Sequence, residues 1–398
     1  VLAGCPRAPA PPAPIAEPEL RVGLAVGAAT ITLGGDAELL VTDLVRREPL
    51  GSVPPRSTWT VVADSGGLHV IQPDGTRHAS VRTLSAVAVT EGGFAAANGR
   101  RYRGRLTVFR DRTGVTLVNH VPLEEYVAGV VGRELGPRRP DERDAVLAQA
   151  VVSRSFALAH RGRWEAFGFD AFADVRDQVY LGVDAESDQV WDAVQATRGQ
   201  VVRYRGVVID AFFHSTCGSS TTPVEEAFRT ARPQPYLRAV SDARGRGFYC
   251  DISPRFRWRE EWDGPALRAI LSRSLPSVMP VGGDGLQRIT AVEVSRKTSA
   301  GRVRELRIAF ERGDVRVTGA DVRRVLRPAR DRELWSTAFQ LEVSTAGGQV
   351  SRVVAAGAGA GHGVGMCQWG AIGRARAGQS YGDILTTYYP GTNVERVY

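Results

Sequence analysis

Three clusters in the 398-residue sequence combine residue types that could do chemistry. The first centres on Glu134, which stands among Val130, Val131 and Leu135 just before Gly136-Pro137. A carboxyl in a partly apolar setting gains proton affinity, which suits a general acid. The second cluster runs from Phe212 through His214, Ser215, Thr216, Cys217 and Gly218 to Thr222. An apolar run that gives way to an imidazole, hydroxyls and a thiol reads as a strand end opening into a ligand-contacting loop. The same composition also suits an extracellular disulfide beside a Ser/Thr turn. The third cluster spans Gly357 to Ala371 and holds His362, Gly363, Gln368 and Trp369. Its glycines let backbone amides approach a partner closely, although the spacing matches no phosphate-binding motif. No H-E-x-x-H or Walker pattern occurs, which argues against thermolysin-like and P-loop chemistry.

The elements that must position these clusters can be read from pattern. Short β-type runs at Arg21–Val26, Thr30–Leu33, Leu39–Val41, Trp59–Val62 and Leu68–Ile71 predict a β-rich N-terminal part. A hairpin is expected from Arg105–Phe109 and Val115–Asn119 around Asp111–Gly114. Helices are predicted over Leu123–Leu135, over Asp141–His160 with Asp141 as N-cap, and over Asp184–Thr197. Strands Gln200–Tyr204 and Val207–Phe213 are expected to form a second hairpin through Arg205-Gly206. A helix at 264–274 and strands at 289–296 and 303–310 lead to the closing segment, 352–398. The fold class is therefore α+β, with sheets at both ends of a helical middle and no internal repeat.

Hydrophobic residues make up 43% of the chain and charged residues 24%, values that set aside collagen, coiled coil and wholesale disorder. No run approaches the ~18 apolar residues of a membrane helix. The net charge is +8, from 51 basic and 43 acidic residues, and only Lys297 is a lysine. The charges are interspersed without blocks, so they suit a diffuse affinity for an anionic polymer such as cell wall and give no reason to expect nucleic-acid binding.

Taken in order, the motifs resemble the SpoIID/LytB family of bacterial cell-wall proteins. The resemblance rests on Val121 to Val131 followed by Glu134, on Ala148-Gln149-Ala150-Val151 with Arg154, and on Asp174-Val175 with Gln178-Val179-Tyr180. It continues through His214-Ser215 with Gly218, Gly361 to Met366 with Gln368 to Ala371, and Tyr388 to Thr392. Leu135-Gly136 stands where the family usually has Met-Pro, and Gly218-Ser219 with Thr221-Thr222 where it has Gly-Gly and often Thr-Glu. The resemblance implies a mixed helix/sheet catalytic core with a cleft over 111–398, preceded by the β-rich part at 20–110 and a tether at 1–19.

It also implies lytic transglycosylase action on peptidoglycan glycan strands lacking stem peptides, with Glu134 as general acid and then base. One carboxyl suffices, so the paired carboxylates of ordinary glycosidases are not required, and neither is a cofactor. Glu124 and Glu125 are expected to be helix-facing or positioning groups, not the acid. Substrate contacts are expected from Arg154, Gln178, Tyr180, His214, Ser215, Gly218, His362, Gly363, Gln368 and Trp369. His214 and His362 are expected to meet beside Glu134. Part of the family stimulates a cell-wall amidase without being catalytic, which makes such an amidase the alternative partner. Some members bind zinc near the second cluster, where Cys217, Cys250 and His214 are the candidates. No fourth ligand suggests itself, and in an exported protein a Cys217–Cys250 disulfide is the expectation in place of a metal. Leu2-Ala3-Gly4-Cys5 resembles a lipobox. Lipidation of Cys5, after removal of an upstream signal, would make this an anchored lipoprotein of the bacterial envelope, with the Pro/Ala stretch as its tether.

Overall fold

The structure is a computed structural model that describes residues 16–78, 81–280, 286, 288–330 and 332–398. Cys5 and most of the expected tether lie outside the described residues. Those described form eight α-helices: α1 (Leu123–Leu135), α2 (Arg143–Ala159), α3 (Asp188–Ala196), α4 (Val224–Ala227), α5 (Gly264–Ser274), α6 (Asp321–Val325), α7 (Gln368–Arg376) and α8 (Tyr381–Tyr388). With strands in several sheets, none closed into a barrel, the fold is α+β as the sequence indicates.

Contacts divide the chain into two units. The first comprises the residues up to Glu134, then His160–Val201 and Glu395–Tyr398; the second comprises Leu135–Ala159 and Val202–Val394.

In the first unit, apolar side chains alternate along strands Thr30–Gly34, Leu39–Asp43, Thr58–Asp64 and Gly67–Ile71. Ile31, Leu33, Leu39, Val41, Val61, Leu68 and Val70 are fully buried, the period-two pattern of sheets with one face in a core. A seven-stranded sheet runs in the order Ala171–Phe172, Glu19–Ala28, Val115–Pro122, Arg105–Arg110, Thr83–Ala88, Leu39–Asp43, Glu48–Val53. It packs on a five-stranded sheet ordered Gly67–Ile71, Thr58–Asp64, Thr30–Gly34, Ala95–Ala97, Arg100–Tyr102. The hairpin expected around Asp111–Gly114 is present: the Asp111 carboxylate accepts from the amides of Thr113 and Gly114, an Asx-type turn.

Helix α1 buries Leu123, Tyr126, Val127, Val130 and Val131. Glycines at 129 and 132 let the 180–185 segment lie against it, since a Cβ at Gly129 would overlap the Tyr180 ring and one at Gly132 the Ala185 carbonyl. Gly132→Ala is therefore expected to destabilise this unit by roughly 1–3 kcal/mol through overpacking, despite alanine's better helix propensity. Denaturant unfolding checks it, and an unchanged or raised midpoint would refute the close approach. The helix ends where expected because Gly136 takes a left-handed φ of 68°, the usual stop just past a helix, and Pro137 cannot continue it.

The second unit has two hydrophobic clusters. In the first, α2 is buried continuously from Ala145 to Ala157 and packs against α7 and α8. The second cluster lies on two three-stranded sheets, Arg257–Asp263 with Gln349–Ala358 and Phe339–Ala346, and Ile289–Lys297 with Val303–Phe310 and Gly313–Thr318.

Three sequence expectations are corrected. Asp141 is not the cap of α2, because Pro140 opens a 3₁₀ turn (Pro140–Glu142) and the Glu142 carboxylate accepts from the Arg139 amide at 3.1 Å. The helix expected from Asp184 splits into a 3₁₀ turn at Gly182–Ala185 and α3, because the Ser187 hydroxyl caps the Val190 amide. The strand expected over Val207–Phe213 is two: Val207–Val208 pairs with Arg203–Tyr204 through a turn with positive φ at Arg205 and Gly206, while Phe213–His214 pairs in parallel with Met366–Cys367.

Candidate functional site

Glu134 occupies the last turn of α1 and is half-buried. The first unit braces the N-terminal half of that helix. At its start, buried Glu124 accepts from the Gly199 amide at 2.9 Å and the Tyr398 hydroxyl at 2.6 Å, so it positions as expected. Burial pushes the neighbouring Glu125 carboxyl up. Midway, Tyr126 stacks on Tyr180 with ring centroids 5.1 Å apart and donates to Gln178 Oε1 at 3.2 Å. Tyr180 itself is fully buried and donates to Asn119 Oδ1 at 2.8 Å. Gln178 is buried too, with an Nε2 that has no hydrogen-bond partner among the described residues. The Asp174-Val175 motif, by contrast, faces water: Val175 is 89% exposed.

In the second unit, the parallel pairing of Phe213–His214 with Met366–Cys367 draws the second and third sequence clusters together. His214 and His362 meet each other, their ring centroids 5.5 Å apart. Each is tied to the other's segment: His214 Nδ1 donates to the Val364 carbonyl at 3.1 Å, and His362 Nε2 to the Phe213 carbonyl at 2.9 Å. His214 Nε2 is left buried, without a hydrogen-bond partner among the described residues. Trp369 is joined to Ser215 by a backbone bond of 3.0 Å, and Gln368 donates to Gln149 of α2 at 3.3 Å. Arg154, also on α2, is the largest fully buried side chain.

The glycines of the third cluster do approach something closely, and it is the chain itself. A Cβ at Gly365 would overlap the Phe212 carbonyl, one at Gly361 would lie 2.9 Å from His214 Cβ, and one at Gly363 2.6 Å from the buried Arg302 guanidinium carbon. Gly218 borders a groove of about 460 Å³ whose walls include Arg257, Trp258, Lys297, Phe339 and Gln340. Trp258 and Phe339 lie 6.2 Å apart there, and aromatic rings among polar side chains suit a sugar.

Burial pushes His214 far below the ordinary imidazole value, helped by His362 and Arg302, and lowers His362 to about 4, helped by Arg323 and Arg302. Unfolding returns both to about 6.5. The unfolded chain thus binds more protons below that pH, so stability is full above ~6.5 and falls as pH drops toward 4. Thermal melts should show this decline, and His362→Gln should flatten it; a wild-type profile level from pH 7 to 4 would contradict the assignment.

The expected Cys217–Cys250 disulfide is absent: both thiols are free, with Sγ atoms 3.5 Å apart, well beyond a bond of ~2.05 Å. Nor does His214 join them. The residues gathered with the two cysteines are Cys367 and Asp242, neither weighed as a ligand from sequence. Cys367 lay within the recognised third cluster, whereas nothing in its neighbourhood marks Asp242.

Comparison with known proteins shows the class to which these features belong. The profile described as stage II sporulation protein, SpoIID, matches residues 111–204, and one described as a domain of unknown function matches residues 219–365. An uncharacterised protein of Brachyspira hyodysenteriae is 30% identical over 306 residues, 77% of this chain and 75% of the relative. Stage II sporulation protein D of Bacillus subtilis is 28% identical across 71% of this chain and 77% of its own length. The amidase enhancer of the same organism is 27% identical over 63% of this chain, a match covering 38% of the enhancer. The chain belongs to the SpoIID/LytB family. Its function is accordingly related to the cell wall and its setting is the envelope. No helix among the described residues is long and apolar enough to cross a membrane.

Proposed function

We propose that the protein cleaves peptidoglycan glycan strands, those stripped of stem peptides, by non-hydrolytic transglycosylation. The observation that carries this reading is Glu134: a half-buried carboxyl in the last turn of a helix braced by Glu124, Gln178 and Tyr180, within the segment matching the SpoIID profile. Glu134 donates its proton to the glycosidic oxygen as the bond to the muramic-acid C1 breaks. The C6 hydroxyl of the same sugar then bonds to C1, and its proton returns to the carboxylate. The leaving chain departs with a free hydroxyl, the other ends in a 1,6-anhydro ring, and no water is consumed.

Gln178, Tyr180 and buried Arg154 act in this scheme by holding the helices, whereas His214 Nε2, Ser215, Gly218, His362, Gly363, Gln368 and Trp369 form the loops that meet the glycan. The groove beside Gly218, with Trp258 as a stacking platform, extends that contact. Mass spectrometry of denuded strands incubated with the protein tests the reading: anhydro-ended fragments support it, and reducing-end products or intact strands refute it.

Similarity to an amidase enhancer favours a second reading, a glycan-binding stimulator of an amidase. It predicts intact strands and faster amidase turnover when the two proteins are mixed. Under either reading we place the protein on the membrane through a lipidated Cys5. Equal recovery of wild type and Cys5→Ser in the soluble fraction of cells expressing the full gene would rule out that anchor.

A further inference from the structure

We propose that Cys217, Asp242, Cys250 and Cys367 form a closed tetrahedral site for one thiophilic divalent cation, zinc in the first instance, with a structural role. The four come from separate pieces of the second unit. Cys217 follows strand Phe213–His214, Asp242 lies in a loop, Cys250 lies in the 3₁₀ turn Tyr249–Ile252, and Cys367 ends strand Met366–Cys367. All four are buried, and one donor atom from each lies within 4.8 Å of the others.

The geometry fits the ion. Bonds of ~2.3 Å to sulfur and ~2.0 Å to oxygen at tetrahedral angles place two sulfurs ~3.8 Å apart and a sulfur ~3.5 Å from a carboxylate oxygen. Here Cys217 Sγ lies 3.5 Å from Cys250 Sγ and 3.5 Å from Asp242 Oδ2. The surroundings fit it as well. Asp242 Oδ1 accepts from the Tyr388 hydroxyl at 2.6 Å and from Arg374 at 3.1 Å, which fixes the carboxylate with Oδ2 toward the sulfurs. Cys367 Sγ accepts from the backbone amides of Cys217 at 3.1 Å and Gly370 at 3.2 Å, the latter in the first turn of α7. Such bonds would orient Cys367 Sγ and help hold it as a metal-bound thiolate. Arg374 supplies positive charge beside a donor set that carries four negative charges when ionised. Three sulfurs select a soft or borderline ion, and four protein donors leave no open position for catalysis.

A disulfide would use two of these sulfurs and leave a thiol and a carboxylate buried against it. A cation uses all four donors and ties α7 and the Tyr249–Ile252 turn to the strand that carries His214.

The test is metal analysis of the full chain, expressed with zinc and purified without chelator or oxidant. One zinc per chain is expected. After removal of zinc, cobalt(II) should give the intense visible bands and thiolate charge-transfer absorption of a tetrahedral site. Cys367→Ser should lose the metal. Tyr388→Phe, which keeps every metal donor and removes the shorter of the two hydrogen bonds that aim Asp242, should weaken affinity ~10- to 100-fold. Wild-type protein that holds no metal and gives no tetrahedral cobalt spectrum overturns the proposal. So does a Cys217–Cys250 disulfide in the native chain, or undiminished zinc affinity in Cys367→Ser.

Discussion

Replacement of Glu134 by glutamine is expected to lower the release of anhydro-ended fragments by ~10²- to 10⁴-fold, the range for loss of a general acid–base. The amide keeps the size of the carboxyl but can neither give nor recover the proton. Glu134 is half-buried in a final helical turn, so the substitution leaves the α1 core of Tyr126, Val127, Val130 and Val131 untouched. Binding of denuded strands and the thermal midpoint should therefore stay near wild type. Glu125→Gln, on the same helix, is the control and should retain activity. Fragment release by Glu134→Gln at a rate close to wild type would remove this residue from the chemistry.

A second large effect is expected at Gly365. Its φ of 68° costs any other residue ~1–2 kcal/mol, and a Cβ there would overlap the Phe212 carbonyl, adding ~1–3 kcal/mol of overpacking. Gly378, just beyond α7, has a φ of 81° and nothing within 4 Å of a Cβ, so alanine there should cost only the conformational part. The excess of Gly365→Ala over Gly378→Ala in denaturant unfolding measures how tightly strand Met366–Cys367 is joined to the strand that carries His214. Equal costs would mean that the strands separate easily at that point.

Much of this architecture was legible because local pattern and tertiary role coincide. The strands at 21–26, 30–33, 39–41, 59–62 and 68–71 are short apolar-rich runs, and α1 carries its own stop in Gly136-Pro137. Strand Glu48–Val53 gave no signal because Pro49 and Gly51 interrupt it, so its existence rests on its pairing with Leu39–Asp43. The segment 207–213 reads as one apolar run. Nothing local shows that the chain leaves one sheet after Val208 to join another at Phe213, a choice made by the distant strand Met366–Cys367. The same distant pairing explains the candidate site. That His214 and His362 belong together follows from the order of the motifs, but that their glycines serve backbone packing does not. Asp242 lay beyond reach because a ligand supplied singly by a loop has no spacing to betray it.

The hydrogen bond between Tyr398 and Glu124, and that between the Val397 amide and the Gly199 carbonyl, have a kinetic meaning. The first unit is threaded through the chain in three pieces, and its helix α1 receives a brace from residues 395–398. It cannot finish folding from the N-terminus as synthesis proceeds, the usual order for successive domains. Until residues 395–398 have emerged, the buried Glu124 carboxylate lacks the Tyr398 hydroxyl and has only the Gly199 amide of these two partners. Closure of the first unit therefore waits until residues 202–394 of the second have been made, which couples the folding of the two.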